Sequence, residues 1–147
     1  MVDFKQKEKY DINDLLEIMR LLRAPGGCPW DAQQTHMSIR KNLIEETYEV
    51  IEAIDKDDKE LMTEELGDLL MQVVFHAQME QEAGNFDFGD VTDGVCKKLI
   101  ERHPHVFGEV EVSGVGDVLN NWDAIKRRSK GQKTVSYTHL TLPTIRL

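Results

Sequence analysis

Residues 38–55 read SIRKNLIEETYEVIEAID, and their reading decides the fold. Ile39, Leu43, Thr47, Val50, Ile51 and Ile54 recur at helical spacing and span roughly 120° of a helical wheel. The stretch therefore reads as an amphipathic helix over 38–55. Its border is unusual. Ile39, Glu46 and Val50 fall within roughly 40° of one another, with Glu49 about 60° further round and Glu45 about 40° beyond it. Glu45 and Glu49 are like charges at i,i+4, which costs a helix a few tenths of a kcal/mol.

The next helical stretch repeats the pattern. Over 58–83, Met62, Leu66, Leu69, Leu70, Val73, Val74 and Ala77 form the apolar set, with Gly84 as C-cap. Glu65 and Asp68 lie at i,i+3 on its edge, about 60° apart. Antiparallel packing of the two helices brings the two acidic edges together. Four half-buried carboxylates would repel one another and lose hydration. A hard divalent cation relieves both, and Mg²⁺ takes oxygen ligands while leaving positions for water or phosphate. Gly67 lies between Glu65 and Asp68, where glycine in a helix interior costs about 1 kcal/mol relative to alanine. A missing side chain there would admit another helix or a ligand. The competing reading is a solvated acidic face. Two clusters, each bordering an apolar stripe, favour the metal site.

Outward from this pair, residues 12–23 place Ile12, Leu15, Leu16, Met19 and Leu22 on one helical face, with Asp11 or Asn13 as cap. APGGCPWD, 24–31, reads as a turn-rich loop. A fourth helix starts near Asp90 and is stopped by Pro104 in RHPHVFG. GEVEVSGVG, 108–116, reads as a loop or short β-like excursion, followed by a helix over 118–130. Residues 135–147, VSYTHLTLPTIRL, hold no acid and no helical period, and read as a disordered or foreign tail after a domain of residues 1–134.

The whole chain supports these readings. It has 147 residues, one domain's worth, with 31% charged and 40% hydrophobic residues, as in a soluble globular protein. Its net charge of −9 argues against a nucleic-acid partner. No apolar run approaches the roughly 18 residues of a membrane span. The polar start, MVDFKQKEKYDIND, reads as lacking a signal peptide. The two cysteines, Cys28 and Cys96, read as reduced thiols of a cytoplasmic protein. A di-iron site wants Glu-x-x-His, but Val73 stands three before His76. A zinc site wants clustered Cys or His, and His103 and His105 merely flank a proline at a helix end. Walker, G-x-G-x-x-G and G-x-S-x-G motifs are absent.

Glu45, Glu46 and Glu49, fifteen intervening residues, then Glu65 and Asp68 form E-E-x-x-E…E-x-x-D. With LLRAPGGCPWDAQQTH, ELGDLLMQVVFHAQ, RHPHVFG and NWDAIK, the chain resembles the MazG-type nucleoside triphosphate pyrophosphohydrolases over roughly residues 11–133, and most closely the N-terminal copy of the domain in two-copy members. The resemblance implies an all-α fold, a bundle of about four to five helices completed by dimerisation into a homodimer or larger homo-oligomer. It implies Mg²⁺-dependent hydrolysis of nucleoside triphosphates to monophosphate and pyrophosphate, with Mn²⁺ as a substitute metal. Glu46, Glu49, Glu65 and Asp68 match metal ligands. Glu45 and Glu46 match catalytic acids, Glu45 orienting or deprotonating the attacking water. Asn42, Lys98, Arg102 and Trp122 match substrate-binding positions. From the residues alone, Lys98 and Arg102 read equally well as helix C-terminal cations, and Trp122 as core or interface. The alternative is a catalytically weak nucleotide-binding or dimerisation domain of the same type.

Overall fold

The computed structural model describes residues 1–130; the expected tail at 135–147 lies outside them. The described residues form seven helices: α1 (Ile12–Arg23), α2 (Pro29–Gln33), α3 (His36–Asp55), α4 (Lys59–Glu82), α5 (Phe88–Arg102), α6 (Pro104–Phe107) and α7 (Val115–Lys130). Five are long and two are short, so the all-α expectation holds. The described residues divide into two compact units, Met1–Val91 and those from Thr92 onward.

In the first unit α3 and α4 pack as an antiparallel hairpin, with α1 against α4 and α2 against α1. Local sequence sets the boundaries. Asp11 and Asp14 form a capping box at α1. Thr35 and Ser38 form another at α3, so that helix begins at His36, two residues before the expected start. Asp58 caps α4 through the Leu61 amide. Both long helices end the same way. After α4, Gly84 takes a positive φ of 78°, the Gly84 amide donates to the Gln81 carbonyl and the Asn85 amide to the Glu80 carbonyl. After α3, Asp57 takes a φ of 51°, the Asp57 amide donates to Ile54 and the Asp58 amide to Ala53. These are Schellman closures, and aspartate is one of the few side chains that tolerate that conformation. The three-residue link between α3 and α4 forces the antiparallel pairing.

The core comprises Met19 of α1, Ile39 of α3, and Val74, Phe75 and Met79 of α4, with Leu15, Leu16 and Phe88 packed on it. Arg23 braces it. Its guanidinium donates to both Glu82 oxygens at 2.9 and 3.1 Å, and to the Asp31 and Gln34 carbonyls at 2.6 and 3.2 Å. It also lies 5.5 Å from the Phe75 ring centre. Gly27 fits because a Cβ there would meet the Leu21 carbonyl oxygen at 2.1 Å.

Four expectations change. The loop at 24–31 contains the start of α2, with Pro29 in its first turn. Pro104 ends α5 but also opens α6. Helix α7 begins at Val115, inside the expected excursion at 108–116. The apolar stripes are only partly buried. Ile54 is exposed while Ala53 is buried, and Leu66, Leu70 and Val73 are exposed while Phe75 and Met79 are buried. Apolar residues run round most of α4, so period alone does not identify the inward face.

In the second unit, Ile125 of α7 is buried. The Ser129 hydroxyl donates to Glu101 at 3.0 Å and to the Ile125 carbonyl at 2.9 Å. His103 meets Trp122 edge-on, with ring centres 5.0 Å apart. Both cysteines are free thiols, as expected. No helix among the described residues is long and apolar enough to cross a membrane.

Candidate active site

The antiparallel hairpin brings the acids of α3 and α4 together. Carboxylate oxygens of Glu46, Glu49 and Glu65 lie within 4.8 Å of one another, and so do those of Glu64, Glu65 and Asp68. The four expected metal-ligand residues therefore lie in two overlapping clusters that share Glu65. Glu65 is only 9% exposed, the most buried acid of the group. Glu46 is half-buried, and Glu49 is exposed.

The electrostatics follow from this crowding. Glu65 is pushed up to about 7, first by burial, then by a hydrogen bond and repulsion from Glu49, with Asp68 and Glu64 adding to it. Glu46 is raised by burial and by the charges of Glu49, Asp68 and Glu45. One oxygen of each, Glu46 Oε2 and Glu65 Oε2, is buried with no hydrogen-bond partner. Buried carboxylate oxygens are normally satisfied. Several hard oxygen donors close together, two of them unpartnered, suit Mg²⁺ or Mn²⁺. The donor set fits such a cation.

The other expected residues are placed differently. Glu45 stays outside both clusters and pairs on the surface with Lys41 at 3.5 Å. Asn42 lies one turn before Glu46 on α3 and is half-buried. Lys98 and Arg102 occupy the C-terminal half of α5, and Trp122 lies on α7, all in the second unit. Trp122 Nε1 is buried without a partner. Sequence reasoning missed Glu64. Its signal was the i,i+4 spacing to Asp68. Gly67, expected to admit close approach, has nothing within 4 Å of a Cβ position, so no element among the described residues uses the space.

The histidines serve elsewhere. His36 and His76 face each other with Nδ1 atoms 2.7 Å apart, His36 Nε2 lies 2.6 Å from Glu80, and Asn85 donates to the same carboxylate at 2.8 Å.

Comparison with known proteins places this geometry. The model of the MazG nucleotide pyrophosphohydrolase domain matches residues 34–107, which include every acid of the two clusters. The nucleoside triphosphate pyrophosphohydrolase/pyrophosphatase MazG of Thermotoga maritima is 50% identical over 123 residues, covering 84% of this chain and 47% of that protein. The nucleoside triphosphate pyrophosphohydrolase of Escherichia coli K12 is 49% identical over 123 residues, with 83% and 47% covered. A Bacillus subtilis protein, the uncharacterized protein YabN, is 48% identical over 121 residues, covering 82% of this chain and 25% of its own. Among solved structures, a mazG-related protein from Thermotoga maritima superposes with a TM-score of 0.66 at 28% identity, over 79% of this chain and 99% of that one. The chain spans about half the length, or less, of these curated relatives.

Proposed function

Because the chain belongs to the MazG nucleotide pyrophosphohydrolase domain family, we propose that it hydrolyses nucleoside triphosphates between the α and β phosphates, giving the monophosphate and pyrophosphate. Glu46, Glu49, Glu65 and Asp68 would hold Mg²⁺, with Mn²⁺ as a substitute, and Glu64 borders the same site. The observation that carries this reading is the pair of buried, unpartnered oxygens on Glu46 and Glu65 inside a crowded acid cluster. An acid group that costs the free chain stability is what a cation-dependent site requires. The bound cation would neutralise phosphate charge and make a coordinated water more acidic.

The remaining roles rest on the family. Glu45, exposed beside the cluster, is proposed to orient or deprotonate the attacking water. Asn42, Lys98, Arg102 and Trp122 are proposed for the substrate, the two cations taking phosphate oxygens and Trp122 the nucleoside. Chemistry of this kind needs charge neutralisation and in-line placement more than covalent help. A second copy of the chain is proposed to cover the exposed apolar residues of the hairpin, Leu66, Leu70 and Val73 on α4 and Ile44 and Tyr48 on α3. Two free thiols suit a cytoplasmic setting.

The test is pyrophosphate release from a panel of canonical and non-canonical nucleoside triphosphates, with Mg²⁺ and with EDTA, for the full chain beside residues 1–134. Mg²⁺-dependent release of pyrophosphate with monophosphate is expected. Release of orthophosphate instead would move the cleavage to another bond. Nucleotide binding with no release would favour the second reading, a weak nucleotide-binding or dimerisation domain. The coverage of only half of each curated MazG pyrophosphohydrolase keeps that reading in view.

A further inference from the structure

The seam between α3 and α4 is layered. Near the connecting turn, Glu49 lies against Glu65. At the other end His36 lies against His76. Seven residues on from Glu65, and seven back from Glu49, the antiparallel register sets Gln72 opposite Asn42. Counting four from the histidine pair sets it opposite Arg40, so the two ends agree to within two residues. Gln72 thus occupies a layer of its own between the acids and the histidines. It is about 20° round α4 from Glu65 and about 40° from Asp68, and about 6 Å along the axis from Asp68.

Gln72 is only 5% exposed, yet its Oε1 is buried with no partner. A buried amide oxygen without a hydrogen bond lowers stability, and methionine or leucine of similar size would be cheaper at this position. Nothing within the described chain explains why an amide stands there. A ligand would. The acids one turn away suit phosphates and a cation, whereas a neutral carboxamide, with one acceptor and two donors, suits neutral hydroxyls. In a nucleoside triphosphate whose phosphates lie on the acids, the sugar is the first group beyond the α phosphate, at about one helical turn's reach. The base edge lies further out. Asn42, across the seam by this register, is itself only half-buried.

We infer that Gln72 is a specificity-determining residue that hydrogen-bonds the sugar hydroxyls of the bound nucleotide. The inference rests on one part of the proposed function, that the acid site takes the phosphates of a nucleotide through a cation.

The test is calorimetric titration of the full chain with Mg²⁺ and three probes: an α,β-methylene ribonucleoside triphosphate, its 2′,3′-dideoxy counterpart, and inorganic tripolyphosphate. Gln72→Met should weaken the ribonucleotide roughly three- to thirtyfold, the worth of one or two neutral hydrogen bonds. It should leave the dideoxy analogue and tripolyphosphate unchanged, and raise the melting temperature of the ligand-free protein. Gln72→Asn, which keeps the amide but withdraws it by one methylene, should show a smaller loss confined to the same probe. Equal losses for all three probes would mean that Gln72 shapes the acid site, and would overturn the inference. So would an unchanged ribonucleotide affinity, or a loss that follows the base and not the sugar. Pyrophosphate release is read separately on hydrolysable substrate. A wild type that discriminates the sugars but releases no pyrophosphate sinks the hydrolase reading and leaves this one standing. A wild type that binds tripolyphosphate and the two nucleotides equally overturns the sugar contact and leaves the hydrolase reading open.

Discussion

The two ends of the α3–α4 seam carry similar numbers of ionisable groups and treat them in opposite ways. At the histidine end the carboxylates have partners, although His76 Nε2 is buried without one. Arg23 holds Glu82, and Glu80 takes hydrogen bonds from Asn85 and His36. The carboxyls of Glu80 and Glu82 are accordingly held below the usual range, Glu80 by Asn85 and then His36, Glu82 by Arg23. At the acid end, no ion pair among the described residues reaches Glu46, Glu49, Glu65 or Asp68, and Glu46 and Glu65 are pushed up instead. Charges that serve the chain's own stability come with a counter-charge in the chain. Acids left crowded and without a counter-charge on a helix pair are what the proposed metal site would need, the counter-charge then coming from outside.

Removing one member from each end gives the largest contrast. Glu49→Ala should abolish metal-dependent pyrophosphate release, by roughly a hundredfold or more, because it withdraws a ligand from the proposed metal site. In EDTA the same variant should melt no lower than the wild type, and higher if relief of repulsion dominates. Arg23→Ala should do the reverse. It leaves Glu82 and two carbonyls without their donor, so unfolding should become easier by about 2–4 kcal/mol in denaturant titration, while the folded fraction keeps its turnover. Full activity in Glu49→Ala would sink the metal assignment. Unchanged stability in Arg23→Ala would show that the bracing contacts are replaceable by water.

A smaller effect separates the ends by pH. The folded-state value of Glu65 is about 7 against 4.5 for a free glutamic acid. The folded, metal-free protein therefore binds that proton more tightly than the unfolded chain. This contribution to stability is complete below about 4.5 and is lost as pH rises towards 7. The histidine end runs the other way. Burial, and then His36, hold His76 below the usual 6.5, so its contribution is present above 6.5 and is lost as pH falls through the lower folded value. Glu80 and Glu82 add a loss below the free-acid range. Melting curves in EDTA should thus decline on both sides of an intermediate pH. Glu65→Gln should reduce the decline on the high-pH side, leaving the part due to Glu46, whose carboxyl is also raised, and saturating Mg²⁺, which takes the protons' place, should remove it. A decline left undiminished in Glu65→Gln would mean that other groups cause it.

The contrast between the two ends also shows which parts of this structure a sequence can reveal. Helix boundaries were readable wherever they rest on local chemistry: Asp11, Asp58 and Gly84 act through neighbouring amides, within a few residues. Thr35 was missed because its capping partner is Ser38, which itself looked like a helix start. The acids were legible because the helical period places Glu46, Glu49, Glu65 and Asp68 on stripe borders. The inward face of α4 was not, since Leu66, Leu70 and Val73 are as apolar as Val74, Phe75 and Met79, and only the tertiary pairing selects between them. The amide Gln72 was invisible for a related reason. A polar residue on a helix looks solvent-facing until the partner helix is in place. Arg23 shows the limit most clearly, because its partners lie eight, eleven and fifty-nine residues away.

Gly67 offers the smallest and sharpest test of what the acid end faces. It lies in the interior of α4, between two acids of the site, and a Cβ added there would meet nothing within 4 Å. Judged by the single chain, alanine is the better residue, by about 0.5–1 kcal/mol from backbone entropy alone. Gly67→Ala should therefore raise the melting temperature of the dilute protein. Its neighbours on the helix surface, Leu66 and Leu70, belong to the exposed apolar stripe assigned above to a second copy. Backbones approach closely where side chains are smallest, so the same alanine should weaken self-association several-fold in sedimentation equilibrium. Stability and association would then move in opposite directions, a signature that a purely structural glycine does not produce. If association is unchanged while pyrophosphate release falls, the space beside the acids belongs to the nucleotide. If both are unchanged and only stability rises, the glycine contacts nothing, and the apolar stripe must be covered without a close approach at this turn of α4.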